Sequence, residues 1–274
     1  MISAGAMAVT LGDAGDEPQL EPPPGATPLW TQVRLTALFP DDPEAHPRLW
    51  ELSLSLAARS GTEPHLERME DQVWERVWMD DLAPLRFGER LWVAPRGQSV
   101  PAPGSVVVGL DPGLAFGTGY HPTTALCLRW LDSADLQGKS IIDYGCGSGI
   151  LAIAALRLGA ASVVAVDHDP QALEATRANA EQNAVAGRLL ACLPEQMPDE
   201  PSDLLVANIL AGPLVELAPR LAELTRPGGS IALSGILSAQ TAQIQDAYEP
   251  WLELSEPQTE DDWVLLSGRR RTQP

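Results

Sequence analysis

Three glycines at alternate positions, Gly145, Gly147 and Gly149, stand between a short apolar strand and a helix, and an acid, Asp167, closes the next strand. Lacking Cβ atoms, such residues let the main chain come close to a ligand. A carboxylate at the second strand tip sits where a ribose diol can be gripped. The alternative is an ordinary glycine turn that binds nothing. The nicotinamide-dinucleotide fingerprint needs glycines at the first, third and sixth places. The sixth place from Gly145 is Ile150, so that fingerprint fails. Asn208 ends a later strand and offers a neutral amide oxygen that can accept an N–H of an incoming amine. A carboxylate there would hold a cationic amine with its lone pair occupied by a proton. Capping the next helix is the competing role for Asn208. Thr123 and Thr124 bring hydroxyls to the first turn of a helix opened by Pro122, where free N–H groups suit a carboxylate. A plain cap is the alternative there too.

These residues need elements to hold them, and the pattern supplies a βαβ unit. Ile141 and Ile142 end the first strand, Leu151 to Leu158 read as a helix stopped by Gly159, and Ser162 to Val166 form a β-branched second strand. Downstream, a helix at Gln171–Asn183, a strand at Arg188–Cys192 and a strand at Leu204–Ala207 follow. A helix at Leu214–Leu224, a turn at Arg226, a strand at Ser230–Leu233, a helix over 239–248 and strands near Trp251–Leu254 and Trp263–Leu266 finish the chain. Strands alternating with helices predict an α/β fold with a doubly wound, mostly parallel sheet and a final hairpin. In open sheets of this kind ligands lie outside the carboxyl ends of the strands, so the glycine turn, Asp167 and Asn208 should face one crevice.

Upstream, a strand at Met7–Leu11, an alternating stretch at Leu29–Phe39 and a helix at Pro47–Arg59 read as a small α/β module over residues 1–65. It is too small to be comfortable alone. Residues 66–98 read as a linker: a helix over Leu66–Asp81 with Trp74 and Trp78 on one face, then a strand at Arg90–Val93. That face either reads a partner or packs the linker on a neighbouring domain. The joint Gly97–Pro103 marks the boundary, and residues 99–274 form the larger domain, beginning with a strand at Val106–Leu110 and a structured loop at Asp111–Thr124.

The 274 residues carry 18 Lys+Arg against 37 Asp+Glu, a formal charge of −19. Nucleic-acid binding, which needs cations to neutralise phosphates, is disfavoured. A basic partner would be attracted over long range, and a solubilising surface is the plainer explanation. Cys127, Cys146 and Cys192 lack metal spacing, and the four histidines form no ligand pair at helical spacing, so no metal is expected and the thiols point to a reducing compartment. No apolar run approaches a membrane span and no basic region precedes the apolar start, so a cytoplasmic protein is expected.

The spacing Asp143-x-Gly-x-Gly-x-Gly resembles the first motif of S-adenosylmethionine-dependent methyltransferases. That ligand has an adenosine ribose but no pyrophosphate, so a helix N-terminus cleared for phosphate is not required. Asp111-Pro-Gly-Leu-Ala-Phe-Gly-Thr-Gly, His121-Pro-Thr-Thr, the run from Asp143 to Leu156 and Ala207-Asn-Ile-Leu-Ala-Gly-Pro-Leu together resemble the bacterial ribosomal protein L-eleven methyltransferase family. Trp78-Met-Asp-Asp and Arg86-Phe-Gly-Glu-Arg-Leu-Trp look like the same family's linker.

The resemblance implies a Rossmann-like catalytic domain that methylates lysine side chains and the N-terminal α-amine of one basic ribosomal protein. It implies S-adenosyl-L-methionine bound by Thr124, Gly145, Asp167 and Asn208, with Gly147, Gly149, Phe116 and Gly117 lining the same place. Asn208 takes the position of the Asn-Pro-Pro-Tyr motif of other amino-group methyltransferases, with Ile209 and Leu210 replacing the prolines and no tyrosine following. Phe116 is then the candidate aromatic wall beside Asn208 in the catalytic pair. A neutral acceptor at Asn208 favours a neutral amine whose lone pair is aimed at the methyl group, so transfer needs in-line positioning and desolvation more than a strong base. His121 is the candidate base, with a structural role as the alternative. A monomer without nucleic-acid or membrane partners is expected. Set against the family pattern, the chain is expected to start late, short of a first strand and most of a first helix in the module that the resemblance implies recognises substrate. Tyr120 departs from the family's usual residue.

Overall fold

The computed structural model describes residues 1–15, 29–42, 45–62, 64–68, 83–95, 97, 98, 100, 104–110 and 121–272. The chain divides into two compact units, residues 1–72 and 73–274.

In the first unit, β1 (Ala8–Asp13) pairs antiparallel with β2 (Val33–Leu38), and α1 (Ala45–Ser60) follows. Leu11 lies directly opposite Leu35 in this ladder, and both side chains are exposed, as are Val33, Trp50 and Leu54. Asp41 is held by Arg68 at 2.7 Å and His46 at 3.0 Å.

Among its described residues the second unit begins with β3 (Leu85–Phe87), β4 (Leu91–Ala94) and β5 (Val106–Gly109). They form one three-stranded sheet, with β3 antiparallel and β5 parallel to β4. Strands on both sides of the expected joint at Gly97–Pro103 thus share a sheet. Then come α2 (Pro122–Ser133), β6 (Ser140–Tyr144), α3 (Ile150–Arg157), β7 (Ser162–Val166), α4 (Pro170–Gln182), β8 (Leu189–Cys192) and β9 (Ser202–Asn208). The chain ends with α5 (Ala211–Glu216), α6 (Ala218–Glu223), β10 (Thr225–Leu237), α7 (Thr241–Tyr248), β11 (Leu252–Leu254), β12 (Gln258–Glu260) and β13 (Trp263–Arg270).

The large sheet runs β11-β13-β10-β9-β6-β7-β8, with β12 also on β13. The five strands from β10 to β8 are parallel, and β13 joins antiparallel. This is the doubly wound, mostly parallel sheet that the alternating pattern predicts. Strand order reverses between β6 and β9, the switch point where such sheets open a crevice at their carboxyl ends. From Ile150 to Leu156 helix α3 is apolar and buried all round, so it runs inside the core between sheet and neighbours until its last residue, the exposed Arg157.

Three local expectations change. The single helix at Leu214–Leu224 is two helices, because Pro219 has no N–H to donate and its ring collides with the carbonyl four residues back. The turn at Arg226 is an irregular stretch of β10, where the pairing with β9 jumps from Thr225 opposite Ser202 to Ser230 opposite Leu204. The final hairpin carries an additional short strand, β12. The Trp74–Trp78 helix lies outside the described residues.

Candidate active site

Tyr144 ends β6, and the main chain turns back at once. The N–H groups of Gly145 and Cys146 both donate to the Val166 carbonyl, at 2.7 and 3.0 Å, and that of Gly149 to Cys146, at 2.8 Å. Gly145, Gly147 and Gly149 have φ of 82°, 53° and 79°, the left-handed region that L side chains rarely adopt. The spacing of three glycines therefore answers first to the turn itself. A Cβ on Gly149 would also stand 2.9 Å from the Thr176 side chain, so this glycine makes room for protein atoms.

Helix α4 braces the turn from behind. Thr176 Oγ1 donates to the Gly147 carbonyl at 3.0 Å, and Asn179 Nδ2 donates to the Ser148 carbonyl at 2.9 Å. Farther along, Asn183 exchanges two hydrogen bonds with the Gly109 peptide, both at 2.8 Å, and so ties β5 to the same helix. Sequence reasoning missed all three. Their signal was a polar row at i, i+3 and i+7 on a helix already packed to the sheet by Ala172, Leu173 and Ala180. Cys146 lies inside the turn, 3.4 Å from Thr176 Oγ1. Burial above all, and then the nearby Asp143 carboxylate, push its thiol up, which keeps it protonated and unreactive.

Asp167 closes β7 at only 9% exposure. Its Oδ2 accepts the Gly147 N–H at 2.9 Å and its Oδ1 the Asp169 N–H at 3.0 Å. The exposed His168 ring stands 3.5 Å from the same Oδ1. Asp169 in turn caps α4 by accepting the Gln171 N–H at 2.9 Å, with Pro170 at the first helical position. Beneath the turn, Asp143 is fully buried, and its Oδ2 accepts the Ala152 N–H at 2.9 Å in the first turn of α3. Its Oδ1 has no hydrogen-bond partner among the described residues. Burial raises its pKa to about 7 against the lowering effect of the Ala152 bond, and the Asp167 charge adds to the rise.

Across the switch point, Asn208 ends β9 and donates from Nδ2 to Thr124 Oγ1 at 3.4 Å. The fold thus brings together two of the predicted residues from positions 84 apart in the chain. The bond spends a donor of Asn208 and leaves its amide oxygen for another partner. Thr124 is buried in the first turn of α2, and its hydroxyl is turned to Asn208. His121 is the N-cap of that helix. Its Nδ1 faces Thr123 Oγ1 at 2.7 Å and accepts the Thr123 N–H at 3.4 Å, and its ring meets Trp263 edge-on at 4.8 Å. Capping occupies Nδ1, so the structural role of His121 is satisfied within the fold. Phe116 and Gly117, with the whole stretch from Asp111 to Tyr120, lie outside the described residues.

The glycine turn, Asp167 and the Asn208–Thr124 pair therefore sit at the carboxyl ends of β6, β7 and β9. Among the described residues no group of His, Cys, Asp and Glu could hold a metal ion, and no helix is long and apolar enough to cross a membrane.

Comparison with known proteins gives the same frame a family. A family model described as ribosomal protein L11 methyltransferase (PrmA) matches residues 1–271. The ribosomal protein L11 methyltransferase of Marinobacter nauticus is 53% identical over 275 residues, spanning 99% of this chain and 92% of that relative. That of Nitrosococcus oceani is 54% identical over 268 residues, 98% of this chain and 92% of that relative. The crystal structure of ribosomal protein L11 methylase from Lactobacillus delbrueckii subsp. bulgaricus aligns with a TM-score of 0.64 at 32% identity, covering 69% of this chain and all 100% of that one. With a match along nearly its whole length, and with the glycine turn of a methyltransferase at the switch point of its sheet, the chain belongs to the ribosomal protein L11 methyltransferase family.

Proposed function

We propose that this chain transfers methyl groups from S-adenosylmethionine to lysine side chains and the N-terminal α-amine of ribosomal protein L11. The observation that carries the reading is the meeting of Asn208 with Thr124 beside the glycine turn. S-adenosylmethionine supplies an electrophilic methyl group on a sulfonium centre. The residues that would hold it are Thr124, Gly145, Gly147, Gly149, Asp167 and Asn208, joined by Phe116 and Gly117. Their fit rests on main chain that can approach closely at the turn and on an acid at the tip of β7, where a ribose diol is gripped.

Asn208 then works on the amine. Its Nδ2 is occupied by Thr124, so its oxygen is the part that accepts an amine N–H and aims the lone pair. A lysine at its reference pKa of about 10.4 is charged at neutral pH, and desolvation in the crevice lowers that value and yields the reactive neutral form. Positioning and desolvation carry the step, with Phe116 as the aromatic wall.

The charge of −19 supports a basic protein as the substrate. Residues 1–65, which leave Leu11, Val33 and Leu35 exposed, are the proposed recognition module; of the stretch 66–98 proposed as linker, β3 and β4 share a sheet with β5 and so belong with the catalytic domain of residues 99–274. The reading makes the protein a monomer of the bacterial cytoplasm. Calorimetric titration with S-adenosylmethionine tests it: saturable binding by the wild type and none by Asp167→Ala is expected. A wild type that takes up no S-adenosylmethionine would contradict it.

A further inference from the structure

We infer that Ile209 is the positioning residue that fixes Asn208, and that Gly145 and Gly235, besides adopting the left-handed backbone their turns require, each yield their Cβ space to Ile209. Asn208 is the last residue of β9 to pair with β10, opposite Ser234, and Ile209 follows immediately. On one side, Gly235 at φ 83° lies so close that a Cβ there would stand 2.2 Å from the Ile209 carbonyl oxygen, 2.8 Å from its carbonyl carbon and 3.2 Å from its nitrogen. Main chain cannot rotate out of such a contact. On the other side, a Cβ on Gly145 would stand 2.2 Å from Ile209 Cγ2. That methyl is a β-branch, held stiffly at χ1.

The approach of Gly235 is built into β10. Leu233 pairs with Leu266 and Ile236 with Val264, so β10 carries one more residue than β13 across this interval. Such a bulge bends the strand and redirects its main chain. Ser234 Oγ donates to the Val264 carbonyl at 3.0 Å and holds the bulge. The turn after β6, the end of β9 and the bulge of β10 thus close on one residue.

Asn208 needs this lock. Its hydrogen bond to Thr124, at 3.4 Å, is near the long limit for such bonds and holds the amide only loosely. The Ile209 peptide, pinned against Gly235, fixes the main chain from which the Asn208 side chain projects. A ligand explanation of Gly145 makes a different prediction, because removing the Ile209 branch would then bring no relief.

The test combines unfolding with a local probe. Urea unfolding, without cofactor, is compared for the wild type, Gly145→Ala, Ile209→Ala and the double variant. The double variant is expected to unfold no earlier than Gly145→Ala, because the new Cβ then fills the place of the lost methyl. Losses that simply add would overturn the inference. The Asn208 side-chain amide resonance, identified by its loss in Asn208→Ala, is expected to move in Gly235→Ala and to stay in Ile209→Val, which keeps the branch. An unmoved resonance in folded Gly235→Ala would also overturn it. The kinetic arm rests on the methyl-transfer reading: kcat in Gly235→Ala falls about tenfold or more while KM for S-adenosylmethionine changes by less than about threefold. If the wild type transfers no methyl group, that reading fails, and the unfolding and resonance results still decide the role of Ile209.

Discussion

The Asp167 carboxylate accepts the main-chain N–H of Gly147 at 2.9 Å, so the acid at the tip of β7 ties down the turn that follows β6. One oxygen organises the turn, and the other takes the Asp169 N–H that leads into α4. The acid proposed to grip a ribose is therefore also the brace of the glycine turn.

Asp167→Ala should accordingly cost stability before any ligand is added. Two main-chain donors lose a charged acceptor, and hydrogen bonds to charged groups are worth about 2 kcal/mol each. Urea unfolding of the ligand-free variant should lose at least about that much. An unchanged midpoint would mean that Asp167 serves the ligand alone.

Asn208→Ala should separate transfer from binding. The loss of one oriented polar group beside the reacting atoms should lower kcat by about a hundredfold. Affinity for S-adenosylmethionine should change far less. Thr124→Val keeps the shape and removes the acceptor of Asn208 Nδ2, and it should reproduce part of the kcat loss. Equal losses of kcat and affinity in Asn208→Ala would remove the role assigned to its oxygen.

Asp143 should write itself into the pH dependence of stability. Its folded pKa is raised to about 7 from 3.8, chiefly by burial. The native state therefore keeps a proton that the unfolded chain releases, and stability falls as pH rises through that interval before levelling above it. Asp143→Asn cannot ionise. The stability of the wild type relative to this variant should decline between about pH 4 and 7 and then stay flat. A difference that grows with pH would mean that the carboxylate is stabilised in the fold.

Asp132 should anchor the β3–β4 turn. Its nearly buried Oδ2 accepts the N–H groups of Glu89 at 2.6 Å and Arg90 at 3.2 Å, while Arg90 Nη2 donates to its carbonyl at 2.8 Å. Asp132→Ala strands the main-chain N–H groups of Glu89 and Arg90, while the carbonyl that takes Arg90 Nη2 remains, at a cost of about 3 kcal/mol, or a drop in Tm on the order of 6–12 °C. Gly88→Ala should do similar damage, because a Cβ there would stand 2.3 Å from Asp132 Oδ2. Unchanged melting curves for both would contradict the anchor.

The sequence made the frame legible because strand and helix periods are local. The βαβ unit, the glycine turn, Asp167 and the strand end at Asn208 follow from residue types within a few positions of one another. What escaped is set by residues far apart in the chain. Thr176 and Asn179 are ordinary polar positions of an amphipathic helix until the fold lays them under the carbonyls of Gly147 and Ser148. Ile209 reads as a substitute for a missing proline until Gly145 and Gly235 close on it. The break between α5 and α6 is different: Pro219 announced it locally.

The most direct measurement of the central claim is the intact mass of purified ribosomal protein L11 after incubation with this enzyme and S-adenosylmethionine. Gains in whole methyl steps are predicted with the wild type, none with Asp167→Ala, and strongly slowed gains with Asn208→Ala. An unchanged substrate mass with an enzyme that still binds S-adenosylmethionine would contradict the claim that this chain methylates ribosomal protein L11.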